Sequence, residues 1–164
     1  MFRRLLHTND DPMLALLRLA LGVVFFAHGA QKMLGWFGGA GYSGTMTFFT
    51  QTLGVPSVLA ELAILAEFLG GIGLILGFLT RIAAFGIAID MMVAVAMVHA
   101  SNGFFMNWFG NQHGEGFEFH ILAIAMALFA LVHGAGALSI DRALELAERH
   151  RPVRGMPHPH PMRG

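Results

Sequence analysis

The chain has 164 residues, of which 55% are hydrophobic and 12% charged, with a formal net charge of zero and a mean hydropathy of +0.63. Soluble domains carry nearer 25% charged residues, so the composition excludes an ordinary water-soluble domain and predicts an all-α membrane protein with no nucleic-acid partner. Cysteine is absent, which excludes disulfides, thiol relays and cysteine-ligated metal sites within the chain.

About 20 helical residues cross the ~30 Å hydrocarbon core of a bilayer. Four apolar stretches reach that length, at about 12–34, 56–79, 82–100 and 117–138. They predict a four-transmembrane-helix bundle in a single membrane domain spanning 1–150. The first begins at Asn9-Asp10-Asp11-Pro12, with acidic residues ahead of a first-turn proline. Arg18 would split the apolar core of a signal peptide, so this stretch is expected to stay as a helix. The second opens at Val55-Pro56-Ser57, and Gly70, Gly71, Gly73 and Gly77 thin its far half. Gly73 and Gly77 form a small-xxx-small pair that predicts close approach of another helix. After the fourth stretch, 139–150 alternates Leu and Ala with Arg and Glu as a short amphipathic helix lying at the interface. The tail, 151–164, is rich in Pro, Gly and Arg and is expected to be disordered in the cytoplasm.

Charge asymmetry orients the bundle. Arg3 and Arg4 precede the first span, Arg81 sits between the second and third, and Arg142, Arg149, Arg151, Arg154 and Arg163 follow the fourth. The loop after the first span carries no charge, and the loop after the third carries only Glu115. The positive-inside rule then puts both termini in the cytoplasm and the two long Gly- and Phe-rich loops outside, in a bacterial inner membrane.

A charge at mid-membrane depth costs at least ~2.5 kcal/mol, so ionisable residues inside the spans mark where any work is done. Arg18, Gly22, Phe25, Gly29 and Lys32 share one face of the first helix. With the predicted topology, Asp90 falls near the depth of Arg18, and the two are expected to form a structural ion pair that reaches toward Glu67. Nearer the outer boundary gather His28, Gln31, Lys32, Glu61, Glu118 and His120, with His99 and Asn102 at the same level. Such a group exceeds what charge neutralisation needs. Histidines there can pass protons near neutral pH, and His, Lys or Gln can donate to a quinone carbonyl between aromatic walls. Haem held by two of His28, His99 and His120, or a metal on the histidines and Glu118, is left open as an alternative, although regular helix geometry puts His99 half a turn from Asp90.

Several segments resemble the DoxX family of bacterial four-helix membrane proteins. They are His28-Gly29-Ala30-Gln31-Lys32-Met33-Leu34-Gly35, Ala66-Glu67-Phe68-Leu69-Gly70-Gly71 running on to Gly77-Phe78-Leu79-Thr80-Arg81, Asn102-Gly103-Phe104-Phe105, Gly116-Phe117-Glu118-Phe119, and Leu138-Ser139-Ile140-Asp141. The resemblance covers about Leu14 to Arg142. It implies a subunit similar to the small subunit of a thiosulfate:quinone oxidoreductase, or to relatives in oxidative-stress complexes with a redox-enzyme partner protein. The expectation is therefore a quinone-linked oxidoreductase subunit in the lipid bilayer, with quinone as cofactor. His28, Gln31, Lys32, Glu61 and His120 would bind the ligand, and Glu67 and Glu118 would be its catalytic proton carriers. A small transporter or channel, or a non-catalytic anchor for a redox enzyme, would use the same polar interior. The sequence leaves a homo-oligomer open.

Overall fold

The computed structural model describes residues 5–149, and among them every regular element is helical. The predicted tail at 151–164 lies outside the described residues. Helix α1, Pro12–Leu34, starts where Asp11 Oδ1 accepts the amides of Met13 at 2.8 Å and Leu14 at 3.4 Å. It stops at Gly35, whose φ of 73° closes the last turn. The first connection is not the loop expected. It folds as α2, Gly41–Thr47, and runs into a π-turn at Phe48–Thr52. Helix α3, Ser57–Leu76, and α4, Thr80–Ala94, form an antiparallel hairpin, and α4 continues through a π-turn at Val95–His99 and a 3-10 turn to Asn102. Helix α5 is Glu118–His133 and the amphipathic α6 is Ile140–Arg149.

Three of these helices are long and apolar enough to cross a membrane: Pro12–Leu34, Ser57–Leu76 and the continuous Thr80–Asn102. The chain is a membrane protein. The fourth expected span is shorter than predicted, because α5 ends at His133 and Gly134 leaves the helix at φ 88°, ψ −153°. Residues 134–138 are unwound. Alanines at 84, 88, 123, 127 and 130 let the helices approach around Leu21, Phe25, Leu74 and Ile87.

The tightest crossing joins α1 to α3. A side chain at Gly29 would strike the backbone of Glu67 and Phe68, and one at Gly71 the backbone of Phe26. Gly77, expected in a helix–helix stripe, is instead the left-handed end of α3, and Ser139 and the Arg18 guanidinium pack on it.

Arg18 does not pair with Asp90, contrary to expectation. The guanidinium is 1% exposed and donates to five carbonyls. Nε reaches Ala135 O at 2.8 Å, Nη1 reaches Ile75 O at 2.7 Å and Leu74 O, and Nη2 reaches Leu138 O at 3.2 Å and Ala137 O at 3.5 Å. The physical reason is demand. The end of α3 and the unwound 134–138 segment leave carbonyls without amides, and a planar fork of five donors satisfies them. The carboxylate whose charge Arg18 feels is Asp141, which accepts the amides of Leu79 and Thr80 at 2.8 and 2.9 Å and so caps α4 from another helix.

The same end carries a second clamp: Arg81 donates to Leu131 O, to Val132 O at 2.8 Å and to His7 O at 3.1 Å. Helix α6 is tied to the chain start through Glu145, which takes His7 Nδ1 at 2.9 Å, the Thr8 amide at 3.2 Å and Arg149 at 2.7 Å. Partial burial opposes charge on Glu145, but these donors outweigh it and hold the carboxyl down at about 2.

Candidate functional site

A cavity of about 1260 Å³ runs along the α3–α4 hairpin from Phe78 and Leu79 to His99 and His120 at the opposite end, lined by α1, α3, α4, α5 and the π-turn at Phe48–Thr52. Its walls are mostly aliphatic and aromatic, and its rims at Leu62, Leu69, Phe85 and Ile89 are exposed on the outer face of the α3–α4 hairpin. A ligand can therefore reach it sideways from the apolar surroundings of the helices. Polar lining is concentrated at His28, Lys32, Glu67, Asp90, His99, Glu115 and His120.

Local sequence explains how they meet. Because Gly29 has no side chain, the backbone of α3 at Glu67–Phe68 lies directly against α1. Lys32, one turn further along α1, then reaches Glu67, and Nζ pairs with Oε2. The Glu67 side chain is 6% exposed and that of Lys32 26%. His28, one turn before Lys32 on the same face, lies within electrostatic reach of both and of Gln31. From α4, Asp90 faces Glu67 and Lys32. Glu67 lies ten residues before Gly77 and Asp90 ten after Thr80, so the hairpin brings them to one height.

The histidines form a second group. His120, on the first turn of α5, is 5% exposed and stands 4.1 Å, centroid to centroid, from His99. His99 Nδ1 lies 2.8 Å from the Glu115 carbonyl. A carbonyl only accepts, so Nδ1 carries a proton in that hydrogen bond. The ring of His120 lines the cavity while its Nδ1 is enclosed without a partner. Rings in such contact cannot ligate one haem iron from opposite faces. Among the described residues no cluster of three or more His, Asp or Glu side chains is arranged to hold a metal ion.

Not every expected residue converges. Glu61 is exposed and off the cavity, since six residues of helix turn it about 120° from Glu67. Glu118 accepts the Met106 amide at 2.9 Å and Trp108 Nε1 at 3.3 Å, which makes it the anchor of the loop between α4 and α5 rather than a cavity group. Gln31 lies outside the lining, beside His28, and donates to Phe37 O at 3.4 Å. Conversely, Asp90 and His99 belong to the site. The π-turn at Val95–His99 fits one extra residue into a turn, so nine residues rotate the chain roughly 80° instead of half a turn past Asp90.

The motifs behind the resemblance are thus pairs that meet in space. His28–Gly35 meets Glu67–Gly71; Asn102–Phe105 pairs with Gly116–Phe119 through Phe117 N to Gly103 O at 3.2 Å and Glu118 N to Phe104 O at 2.9 Å; and Gly77–Arg81 meets Ser139–Asp141. The DoxX family model matches residues 13–100. This chain belongs to the DoxX family. Among its relatives, an uncharacterized membrane protein of Mycobacterium tuberculosis is 31% identical over 149 residues, covering 86% of each chain. CatD of Bacillus subtilis, named as a candidate oxidoreductase, is 29% identical over 77% of this chain and 82% of its own. The inner membrane protein YqjF of Escherichia coli is 28% identical over 82% of this chain and 94% of its own. No solved structure matches the chain.

Proposed function

We propose that this DoxX-family protein is a bacterial inner-membrane subunit of a redox complex, and that it binds a quinone in the cavity between α3 and α4. The observation that carries the reading is the shape and chemistry of that cavity. Apolar walls open laterally along two helices and lead to a compact polar end. An isoprenoid tail suits the former, and ring oxygens suit the latter. The name of the relative CatD and the inner-membrane relative YqjF support the same direction.

His28, Lys32 and His120 would donate to the headgroup oxygens, and Phe25 and Phe119 would flank its ring. Glu67, held by Lys32, is the proton-exchanging group. A bound quinone supplies two-electron redox chemistry that no side chain of this chain provides. We further propose four crossings with both termini in the cytoplasm. The 16 residues of α5 rise about 24 Å, and the unwound stretch at 134–138, sealed by Arg18, completes the passage.

Mass spectrometry of protein purified in mild detergent and then supplied with quinone in liposomes tests this. Wild type is expected to retain quinone, while Lys32→Ala and His120→Ala lose at least tenfold in occupancy and stay folded by thermal melt. Retention unchanged in both variants, or no retention by wild type, overturns the quinone site. Solute flux in the same liposomes would then favour a transporter, and a co-purifying enzyme without ligand would favour an anchor.

A further inference from the structure

Charge counting at the polar end of the cavity gives a result that does not depend on any ligand. Lys32 supplies one positive charge, and Glu67 and Asp90 supply two carboxyl groups, all three facing the same apolar space. Glu67 is buried, and its Oε2 is already taken by Lys32 Nζ. If both carboxyls ionised, the site would hold a net negative charge and two like charges side by side, which a low-dielectric interior penalises heavily. The surrounding groups do not supply a second cation at fixed charge. His28 approaches from α1, His120 from α5 and His99 from the π-turn of α4, and all three are imidazoles, which unlike an arginine carry no fixed charge near neutral pH. Neither arginine clamp reaches it, because Arg18 and Arg81 are committed to backbone carbonyls at the other end of the bundle.

We propose that Lys32, Glu67 and Asp90 form a site that holds one exchangeable proton, shared between the two carboxyl groups and presented to the cavity. Lys32 neutralises whichever carboxylate is ionised, so the proton can pass between Glu67 and Asp90 without changing the charge of the site. It can leave only to an acceptor in the cavity, such as a ligand oxygen. Asp90 thereby becomes a functional residue of the cavity rather than a structural counter-ion. The site occupies the cavity proposed for quinone but stands without it.

Infrared spectroscopy of the purified full-length protein in an ester-free detergent tests the site directly. Near neutral pH the wild type is expected to show a protonated-carboxyl stretch that shifts on transfer to D2O. Asp90→Asn and Glu67→Gln each leave one carboxylate for Lys32, so each is expected to abolish the band. Lys32→Met removes the cation and is expected to keep or strengthen it. A thermal melt of each sample confirms that the near-isosteric variants remain folded. Absence of the band in wild type, its persistence in either carboxyl variant, or its loss in Lys32→Met overturns the proposal. Quinone retention read on the same samples separates the two ideas, since a band with no quinone sustains the proton site while the ligand reading fails.

Discussion

Arg18 shows how far the role of one residue depends on what the backbone around it lacks. A buried cation in an apolar helix suggests a carboxylate partner, yet its guanidinium is consumed by carbonyls of α3 and of residues 135–138. One orphaned buried acceptor costs about 1–3 kcal/mol, and Arg18 serves several, so Arg18→Ala is expected to destabilise by at least about 3 kcal/mol. Arg18→Lys should recover little, because an ammonium on a flexible stem cannot span carbonyls on two sides of a planar fork. Combining Arg18→Ala with Asp90→Asn is expected to give additive losses in a thermal or denaturant melt, since the two side chains share no partner. Strong non-additivity would revive a direct Arg18–Asp90 pair. Asp141 is a parallel case. Its local sequence marks it only as the end of the Leu138–Asp141 segment in the first turn of a short helix, and its work is to cap α4 across the fold.

At the scale of elements, the π-turn at Val95–His99 decides what reaches the cavity. With 3.6 residues per turn throughout, His99 would face away from Asp90; with one residue more in a turn, it meets His120. Deleting Ala96 is expected to restore a regular helix in which eight residues turn about 80°, so that His99 keeps its side of α4. The Nδ1-protonated imidazole set by the Glu115 carbonyl should then persist in nitrogen NMR spectra of labelled histidine and disappear in His99→Ala. Loss of that signal in the deletion variant would show that the turn does more than absorb one extra residue. The helices themselves were legible in the apolar runs and in Asp11, Pro12, Pro56 and Gly35, because length, capping and hydropathy are local properties. His28, Lys32 and His120, with His99, could be placed at one level by depth alone. The side that His99 faces, the joining of Glu67 and Asp90 to that group and the departure of Glu61 and Glu118 could not, because they depend on helix rotation, on a loop folding back and on an irregular turn. The height match of Glu67 and Asp90 about the Gly77–Thr80 turn was the one available signal for Asp90, and it requires treating α3 and α4 as a hairpin.

Over the whole molecule the two ends are built for different purposes. One is sealed: Arg18, Arg81, Asp141 and the Glu145 contacts satisfy helix ends and tie the chain start to α6. The other is open, with its titratable groups around a cavity and its loops rich in exposed aromatics such as Trp108 and Phe109. That polarity needs a direction across the membrane, and the arginines cluster at the sealed end, which the positive-inside rule assigns to the cytoplasm. The chain has no native cysteine, so single-cysteine variants read the orientation without background. Ser43→Cys in α2 and Gln112→Cys in the α4–α5 loop are at exposed positions of the open end, and Arg149→Cys is exposed on α6 at the sealed end. A membrane-impermeant thiol reagent added to intact cells is expected to label the first two and to reach Arg149→Cys only after lysis. Labelling of Arg149→Cys in intact cells, with protection at Ser43→Cys and Gln112→Cys, would invert the bundle and turn the cavity toward the cytoplasm. Labelling of Arg149→Cys together with both others would instead mean that the apolar helix α5 with its unwound continuation does not complete a fourth crossing.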